Sequence, residues 1–550
     1  MARKTMQRVV FQPQTYQGMM HGLNQVVQAI SPTLGPFPRV VAMDSLTFGS
    51  KTPEFFDNGG SIARRIIQLA DRDADMGAMF LREVLWRLQE QVGDGTATAA
   101  VLFDSIFKNG VRYISAGGNA SILQKHLLQG LNLVMDELKR QTVPVRGKEK
   151  LSRVAEAVCY DPEMSLYMGE IFDIIGEYGR IEIRAGQRRG IEREYVEGMY
   201  WDWGVHSTSI LQANGGKRMD MENVAIVISD LEIKDPSQLF PPIAMAIQAG
   251  VPALLIIAEH LSENVIGFLM MNSGHEKIKI AAVKTPGWDR EQKAAALTDL
   301  SVLTGGKPFI AQAGDTFARF HESCFGFARR AWADTTNFGI IAGKGNPREL
   351  RRHISILRSA FAHSDDLVQR DRLRERIGKL MGGSATLKLG GVTEQDVNAR
   401  VELAQRTAAA MRGALMEGIL PGGGIALLAC RPALEKRRKN SKDDEERAAY
   451  QILLRAIERP FRTILSNAGH DPGAGLAEVE LGGPGSGYDV RTGKVINMVR
   501  SGIFDPANVQ LAAVYAGIES GALALTVDVL VHHVKPEKAD LPETAQRKQI

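Results

Sequence analysis

Cysteine is scarce in this chain. The three that occur, Cys159, Cys324 and Cys430, stand far apart and outside any CxxC or Cys/His spacing, which excludes a disulfide framework or a thiolate metal site and suits a reducing, cytoplasmic compartment. Charge of one sign is also lacking: 67 Lys and Arg against 63 Asp and Glu leave a formal net charge of +4, too even for phosphate-backbone binding to be the main activity. Nucleic acid is not an expected partner. No apolar run approaches the roughly 18 residues of a membrane span, and the opening stretch MARKTMQRVVFQPQ carries positive charge without the apolar core of a secretory signal. Neither a membrane partner nor export by that route is expected. Aromatic residues make up 6%, whereas glycine, at 55 of 550 residues, exceeds its usual share of about 7%, so backbone rather than aromatic faces should carry recognition.

Several enzyme signatures are absent too. There is no GxxxxGK[ST] phosphate loop, no dinucleotide GxGxxG beside the central β-rich segments, and no His/Cys/Ser nucleophile set, which disfavours a metabolic α/β enzyme. What the chain does have is 44% hydrophobic residues over 550 positions, enough for roughly three or four domains with cores of their own. Apolar residues recur at helical spacing over residues 24–30, 77–91 and 97–115, and again over 392–418, 448–465 and 506–528. Between them VAIVIS (224–229), ALLIIA (253–258) and IKIAAV (278–283) read as strands at βαβ spacing, predicting a parallel sheet. Both ends are thus helical around an α/β centre. The mixed-sign run 435–447 reads as a solvated loop or helix face, and β-rich runs at 8–11 and 527–534 are candidates to pair with a neighbouring subunit's strand.

One group of segments has phosphate-binding character. Gly93-Asp94-Gly95-Thr96-Ala97-Thr98 precedes a helix of small residues: glycines let the backbone close on a phosphate, helix N–H groups favour anions, hydroxyls donate, and Asp94 is a candidate Mg²⁺ ligand. Alone, it reads more readily as a capped turn. Segments of the same kind recur: Thr33-Leu34-Gly35-Pro36, Asp57-Asn58-Gly59-Gly60-Ser61, Gly422-Gly423-Gly424 and Ile503-Phe504-Asp505-Pro506.

In order and spacing these segments, with VGDGTATAAVL, YVEGMYWDWG, GVPALLIIAE, IKIAAVKTPGWDREQKAAALTDLSVLTGG, GGSATLKLGGVTE, MEGILPGGGIAL and GYDVRTGKVINMVRSGIFDP, resemble the group I chaperonins, the GroEL-like family. The resemblance covers nearly the whole chain. It implies an α+β multidomain fold: a helical equatorial ATP-binding domain (1–143 and 417–550), a small intermediate domain (144–197 and 385–416) and an α/β apical domain (198–384). It further implies ATP and Mg²⁺ as cofactors, self-association into seven-membered rings, one or two, and capture of non-native client proteins on apical residues; a separate co-chaperonin lid stays open, because the family's aromatic residues are absent at Val205 and Ser209. Glycines such as Gly198 and Gly383 would be hinges.

Carried over by position, Thr33, Leu34, Gly35 and Pro36 would lie near the nucleotide phosphates, Asp94 would bind Mg²⁺, and Gly95, Thr96 and Thr98 would contact phosphate, with Ala97 in place of a family threonine. Phe37-Pro38 stand where the family has Lys-Gly. Gly423 would pass close to the sugar, Asp489, Val490 and Arg491 would line the base, and Asp505 would accept the ribose hydroxyls. The two hydrolytic aspartates of the family are replaced by Asn58 and Arg406, so Asp57 and Glu402, the latter one helical turn before Arg406, are the acidic substitutes. Arg406 cannot act as a base, and its alternative role is to meet the γ-phosphate as an arginine finger. ATP-binding without hydrolysis, in a scaffold or holdase, is the rival reading.

The client positions correspond to Val205, Ile210, Phe240, Ile243, Ile266, Met270 and Met271, on segments with more apolar residues than one sheet face needs. Trp203 stands where the family has an arginine that makes an inter-domain ion pair.

Overall fold

The computed structural model describes residues 8–37, 39–44, 53–197, 199–213, 216–272, 278–381 and 383–533. Its contacts divide the chain into two compact units, one formed by residues 1–169 with 403–550, the other by 170–402. Gly198, one of the hinge glycines, lies outside the described residues, as does Val534 at the end of the last β-rich run.

The first unit is helical. Its long helices are Gln14–Ile30, Arg72–Val92, Thr96–Ser115, Ala120–Gln141, Asp444–Asn467 and Ala507–Ala524. Local chemistry sets their ends. Asp71 caps Arg72–Val92 by accepting from the Asp73 N–H, Asp73 and Asp75 sit in the first turn, and Gly93 at φ 79° ends the helix in the left-handed conformation. Gly95, at φ 87°, then opens Thr96–Ser115. That helix runs through the centre of the core. Leu102, Phe103, Ile106 and Phe107 are buried with Leu453 and Ile457 of Asp444–Asn467 and with Val514 and Ile518 of Ala507–Ala524. Each such side chain contributes about 1.5–3 kcal/mol on burial. Small residues let the backbones come close: a Cβ on Gly517 would meet the Ala99 carbonyl oxygen at 2.8 Å.

The β-rich runs near the two ends pair with each other, Arg8–Val10 antiparallel to Leu530–His532. Asp73 ties both to the second long helix, accepting from Arg8 at 2.8 Å and from His532 Nε2 at 2.7 Å. Residues 435–447 are mainly helical, shared between Arg431–Asn440 and the start of Asp444–Asn467.

The second unit is α/β. Its main sheet runs Lys279–Lys284, Ala253–Ala258, Arg218–Ser229, Gly326–Asp334, Phe338–Gly343, Met199–Trp201. The first three strands are parallel, as the βαβ spacing predicts. The next three pair antiparallel, while a short seventh strand, Pro308–Phe309, runs parallel beside Arg218–Ser229, so the sheet is mixed and not simply parallel. The reason is local: Gly326–Asp334 and Phe338–Gly343 are joined by a three-residue turn, which forces a hairpin. Val224–Ile228 and Leu254–Ala258 are fully buried, matching their unbroken apolar runs. A smaller sheet places Gly383–Leu389 between Arg180–Ala185 (parallel) and Ile191–Glu197 (antiparallel). Among the described residues, no helix is long and apolar enough to cross a membrane.

Candidate functional site

A cavity of about 690 Å³ opens inside the first unit, within the 300–1,000 Å³ range of small-molecule sites. Its lining gathers Thr33 to Pro36, Asp57, Asn58, Asp94 to Thr98, Arg406, Gly423, Asp489 to Arg491 and Asp505, so segments hundreds of residues apart meet on one surface. Of the residues singled out for nucleotide chemistry, only Glu402 is off the wall; Leu403 and Arg406 of the same helix are on it.

At the start of the Thr96–Ser115 helix, Gly95 provides no side-chain cap, so the first-turn N–H groups keep their hydrogen-bonding capacity. A 20-residue helix with bare N–H groups facing a cavity is suited to an anion. A Cβ on Gly95 would meet Val509 Cγ1 at 3.0 Å and Ala513 Cβ at 3.1 Å; one on Gly93 would meet the Arg406 carbonyl oxygen at 2.9 Å. Only glycine lets this turn sit so tightly between two helices. The 31–36 turn is pinned by Asn467, whose Nδ2 donates to the Ser31 and Leu34 carbonyls, each at 2.8 Å. Thr33 Oγ1 donates to the Ile30 carbonyl at 2.8 Å.

Two partly buried carboxylates, Asp94 and Asp505, face the cavity without a side-chain hydrogen-bond partner among the described residues. Burial raises Asp94, with the Arg406 charge and the Gly95 N–H opposing that rise. Burial, with the Asp94 charge added, pushes Asp505 up to about 7. Both are walled in by protein yet open to the cavity's own solvent. A divalent cation would relieve this arrangement, and one or two carboxylates plus substrate phosphates is the usual protein share of a Mg²⁺ site. The residues present therefore fit Mg²⁺ held by Asp94 together with substrate phosphates; among the described residues no group of three or more His, Cys, Asp or Glu gathers for a metal, here or elsewhere.

Asn58 and Arg406, which stand where the resemblance expects hydrolytic aspartates, differ in their surroundings. Asn58 is buried and caps helix Gly59–Arg65, its Oδ1 accepting from Gly60 N at 2.6 Å and Ser61 N at 3.2 Å. Asp57, beside it, is exposed on the cavity wall. Arg406 has a buried Nε with no hydrogen-bond partner among the described residues. Opposite, Asp489 spends its carboxylate on its own turn, accepting from Arg491 N at 3.0 Å and Thr492 Oγ1 at 2.7 Å.

Motif reading missed one wall altogether. Helix Lys148–Cys159 and Tyr160 contribute Arg153, Glu156, Cys159 and Tyr160 to the cavity. Arg153 donates to the Ser501 carbonyl at 2.7 Å, and Glu156 pairs with Arg491 at 3.2 Å. No glycine or Thr/Asp cluster marks this helix, and its amphipathic spacing reads only as packing. Burial pushes the Cys159 thiol up to about 12, which disfavours the thiolate form.

The model of the TCP-1/cpn60 chaperonin family matches residues 237–535, more than half of the chain. This chain belongs to that family. Two solved structures similar to this chaperonin are crystal forms I and II of the chaperonin gp146 from bacteriophage EL 2 (Pseudomonas aeruginosa), both in the presence of ATP-BeFx. Each is 18% identical and matches 96% of this chain and 99% of its own, with TM-scores of 0.69 and 0.62. At that identity the likeness establishes the fold: an α+β multidomain chaperonin.

In the second unit, the residues expected to meet clients separate by burial. Val205 (4% exposed) and Ile210 (1%) are packed into the core of that unit and are not part of an exposed rim. Val205 is held there because it bridges to Val283 beside the main sheet. Phe240 (52%), Met270 (37%) and Met271 (89%) are open, and Ile243 and Ile266 are half-buried. Phe240 and Phe268 lean together at 5.7 Å. Helix Glu263–Met271 points Val265 and Leu269 inward, which leaves its other face apolar and outward. Trp203 packs on Trp288 at 4.9 Å, an aromatic partner in place of an ionic one.

Proposed function

We propose that this chaperonin is an ATP-driven folding subunit: it assembles into seven-membered rings in the cytoplasm, captures non-native proteins on the outward face formed by Phe240, Ile243, Ile266, Met270 and Met271, and cycles with Mg²⁺–ATP bound in the cavity of its first unit. In this reading three domains act, equatorial (1–143, 417–550), intermediate (144–197, 385–416) and apical (198–384). The observation that carries it is the convergence of the 33–36, 57–58, 94–98, 423, 489–491 and 505 segments on one cavity. The phage chaperonin crystals were grown with the ATP analogue ATP-BeFx, which favours a nucleotide for the corresponding cavity here. Three buried, free thiols suit a reducing compartment.

In this reading bare helix N–H groups at 96–98 and the 33–36 turn hold phosphates, Asp94 holds Mg²⁺, Gly423 lies against the sugar, and Asp505 accepts from ribose hydroxyls. Mg²⁺ would neutralise charge on the phosphate oxygens. Asp57 orients the attacking water, since the Asn58 oxygen is committed to its cap; Glu402 acts at one remove from the wall. Arg406, with its unpartnered Nε, offsets negative charge near Asp94. A second reading, a chaperonin that binds ATP but does not hydrolyse it, is favoured by that same cap on Asn58.

Negative-stain microscopy of the purified protein with and without ATP, alongside phosphate release, tests the proposal. Rings that suppress client aggregation and release phosphate above a no-enzyme blank support it. Sedimentation as a 60.2 kDa monomer at micromolar concentration would sink the ring; binding of ATP without turnover would leave the holdase.

A further inference from the structure

Tyr160 stands at a place where tyrosine is unusual. It follows helix Lys148–Cys159 in the left-handed conformation, φ 51°, where glycine or asparagine is the common solution. Its side chain lies on the cavity wall. The helix before it is fastened at two points to the segments that carry the base-side turn and Asp505, by Arg153 to the Ser501 carbonyl at 2.7 Å and Glu156 to Arg491 at 3.2 Å.

The phenol hydroxyl makes no side-chain hydrogen bond to any described residue, although Asp94, Asp505 and Arg491 all lie within electrostatic range of it. Burial first, and the two carboxylates next, push its ionisation up, so it keeps its proton and remains a donor at neutral pH. Tyr160 is 39% exposed and lines the cavity. Its hydroxyl is a donor on the wall of a cavity that Asp94 and Asp505 also line, open to an oxygen-rich ligand.

We propose that Tyr160 is a nucleotide-contacting residue, its hydroxyl donating a hydrogen bond to a phosphate oxygen of a nucleoside polyphosphate lying between Asp94 and Asp505. The inference rests on the cavity being the nucleotide site and adds a contact from a wall that no phosphate-binding motif marks.

Calorimetry on the full-length protein with ATP, ADP and adenosine tests it. Tyr160→Phe should weaken ATP and ADP about three- to tenfold, the scale of one hydrogen bond, and leave adenosine unchanged. The melting temperature without ligand should not move, because the hydroxyl has no protein partner to lose. Tyr160→Asn, which tolerates the left-handed backbone, should weaken ATP at least as much without loss of thermal stability. Tyr160→Phe binding ATP like wild type, while Asp505→Ala weakens it, overturns the proposal and leaves the nucleotide site standing. A melting temperature that falls with unchanged affinity also overturns it, by making the hydroxyl structural. Wild-type protein that binds neither ATP nor ADP overturns both readings.

Discussion

Asp505 and Asp94 share one cavity, and the charge of Asp94 adds to burial in pushing the Asp505 carboxyl from 3.8 up to about 7. Their relationship sets a pH dependence whose sign can be worked out. In the unfolded chain Asp505 ionises near its ordinary value, whereas in the folded chain it holds its proton until about pH 7. Between those limits the folded state binds more protons, so its stability falls as pH rises through the window and levels off above it.

Thermal melts of the ligand-free protein from pH 4 to 8 should show this decline superimposed on the other titrations, and Asp505→Asn should flatten it. Added Mg²⁺–ATP should work the other way. Its affinity should rise over the same window, because metal and ribose contacts need ionised carboxylates. Titration calorimetry at pH 5.5 and 7.5 would check that; equal affinities would remove the two aspartates from the site.

Asn58 is expected to be a cap first and a catalytic relic second. Asn58→Ala should cost about 1 kcal/mol of stability, read by denaturant unfolding, because Gly60 and Ser61 lose their acceptor. Asn58→Asp keeps the cap and restores a carboxylate at the cavity wall, so steady-state phosphate release should increase while stability stays close to wild type.

For Arg406, the expected signature is a split between turnover and binding. Arg406→Ala should lower kcat about 10- to 100-fold, the scale of a charge-assisted hydrogen bond, with ADP affinity little changed. Asp57→Ala should slow turnover more than Glu402→Ala, since only Asp57 reaches the wall. Single-turnover phosphate release on the three variants would rank them.

Client capture should depend on exposure, not on apolar character alone. Phe240→Glu and Met271→Glu alter open side chains, so they should reduce suppression of aggregation by several-fold without disturbing the fold or ATP binding. Val205→Glu, by contrast, places a charge in the core and should lower expression and melting temperature. Light scattering of a denatured test protein, with circular dichroism as the control for folding, would separate the two effects.

The cavity is legible in the sequence largely because its glycines are legible. Gly93, Gly95 and Gly423 have positive φ, and a backbone that must bend or approach closely leaves this mark in sequence. Asp94 and Asp505 can be placed by the turns around them. Tyr160 cannot, since nothing near it announces a left-handed backbone, and Glu402 is placed by helical periodicity that takes no account of where the wall stops. The buried strands at 224–229 and 253–258 are plain as unbroken apolar runs, but GFARRAWAD, with arginines between small residues, hides the antiparallel half of the sheet. Val205 and Ile210 look like their exposed neighbours in composition; only the sheet beside them determines that they face inward.

The first unit is written in two stretches, and its central helix, Thr96–Ser115, is completed only by packing on Ala507–Ala524. On a ribosome, the unit at 170–402 emerges whole, whereas residues 1–169 must wait, apolar surface uncovered, until the last helix arrives. A chain truncated after residue 402 should therefore resist limited proteolysis across 170–402 and be cut within the first 169 residues. During its own synthesis this chain would pass through a state in which apolar surface stands uncovered, the condition that chaperonins exist to guard against.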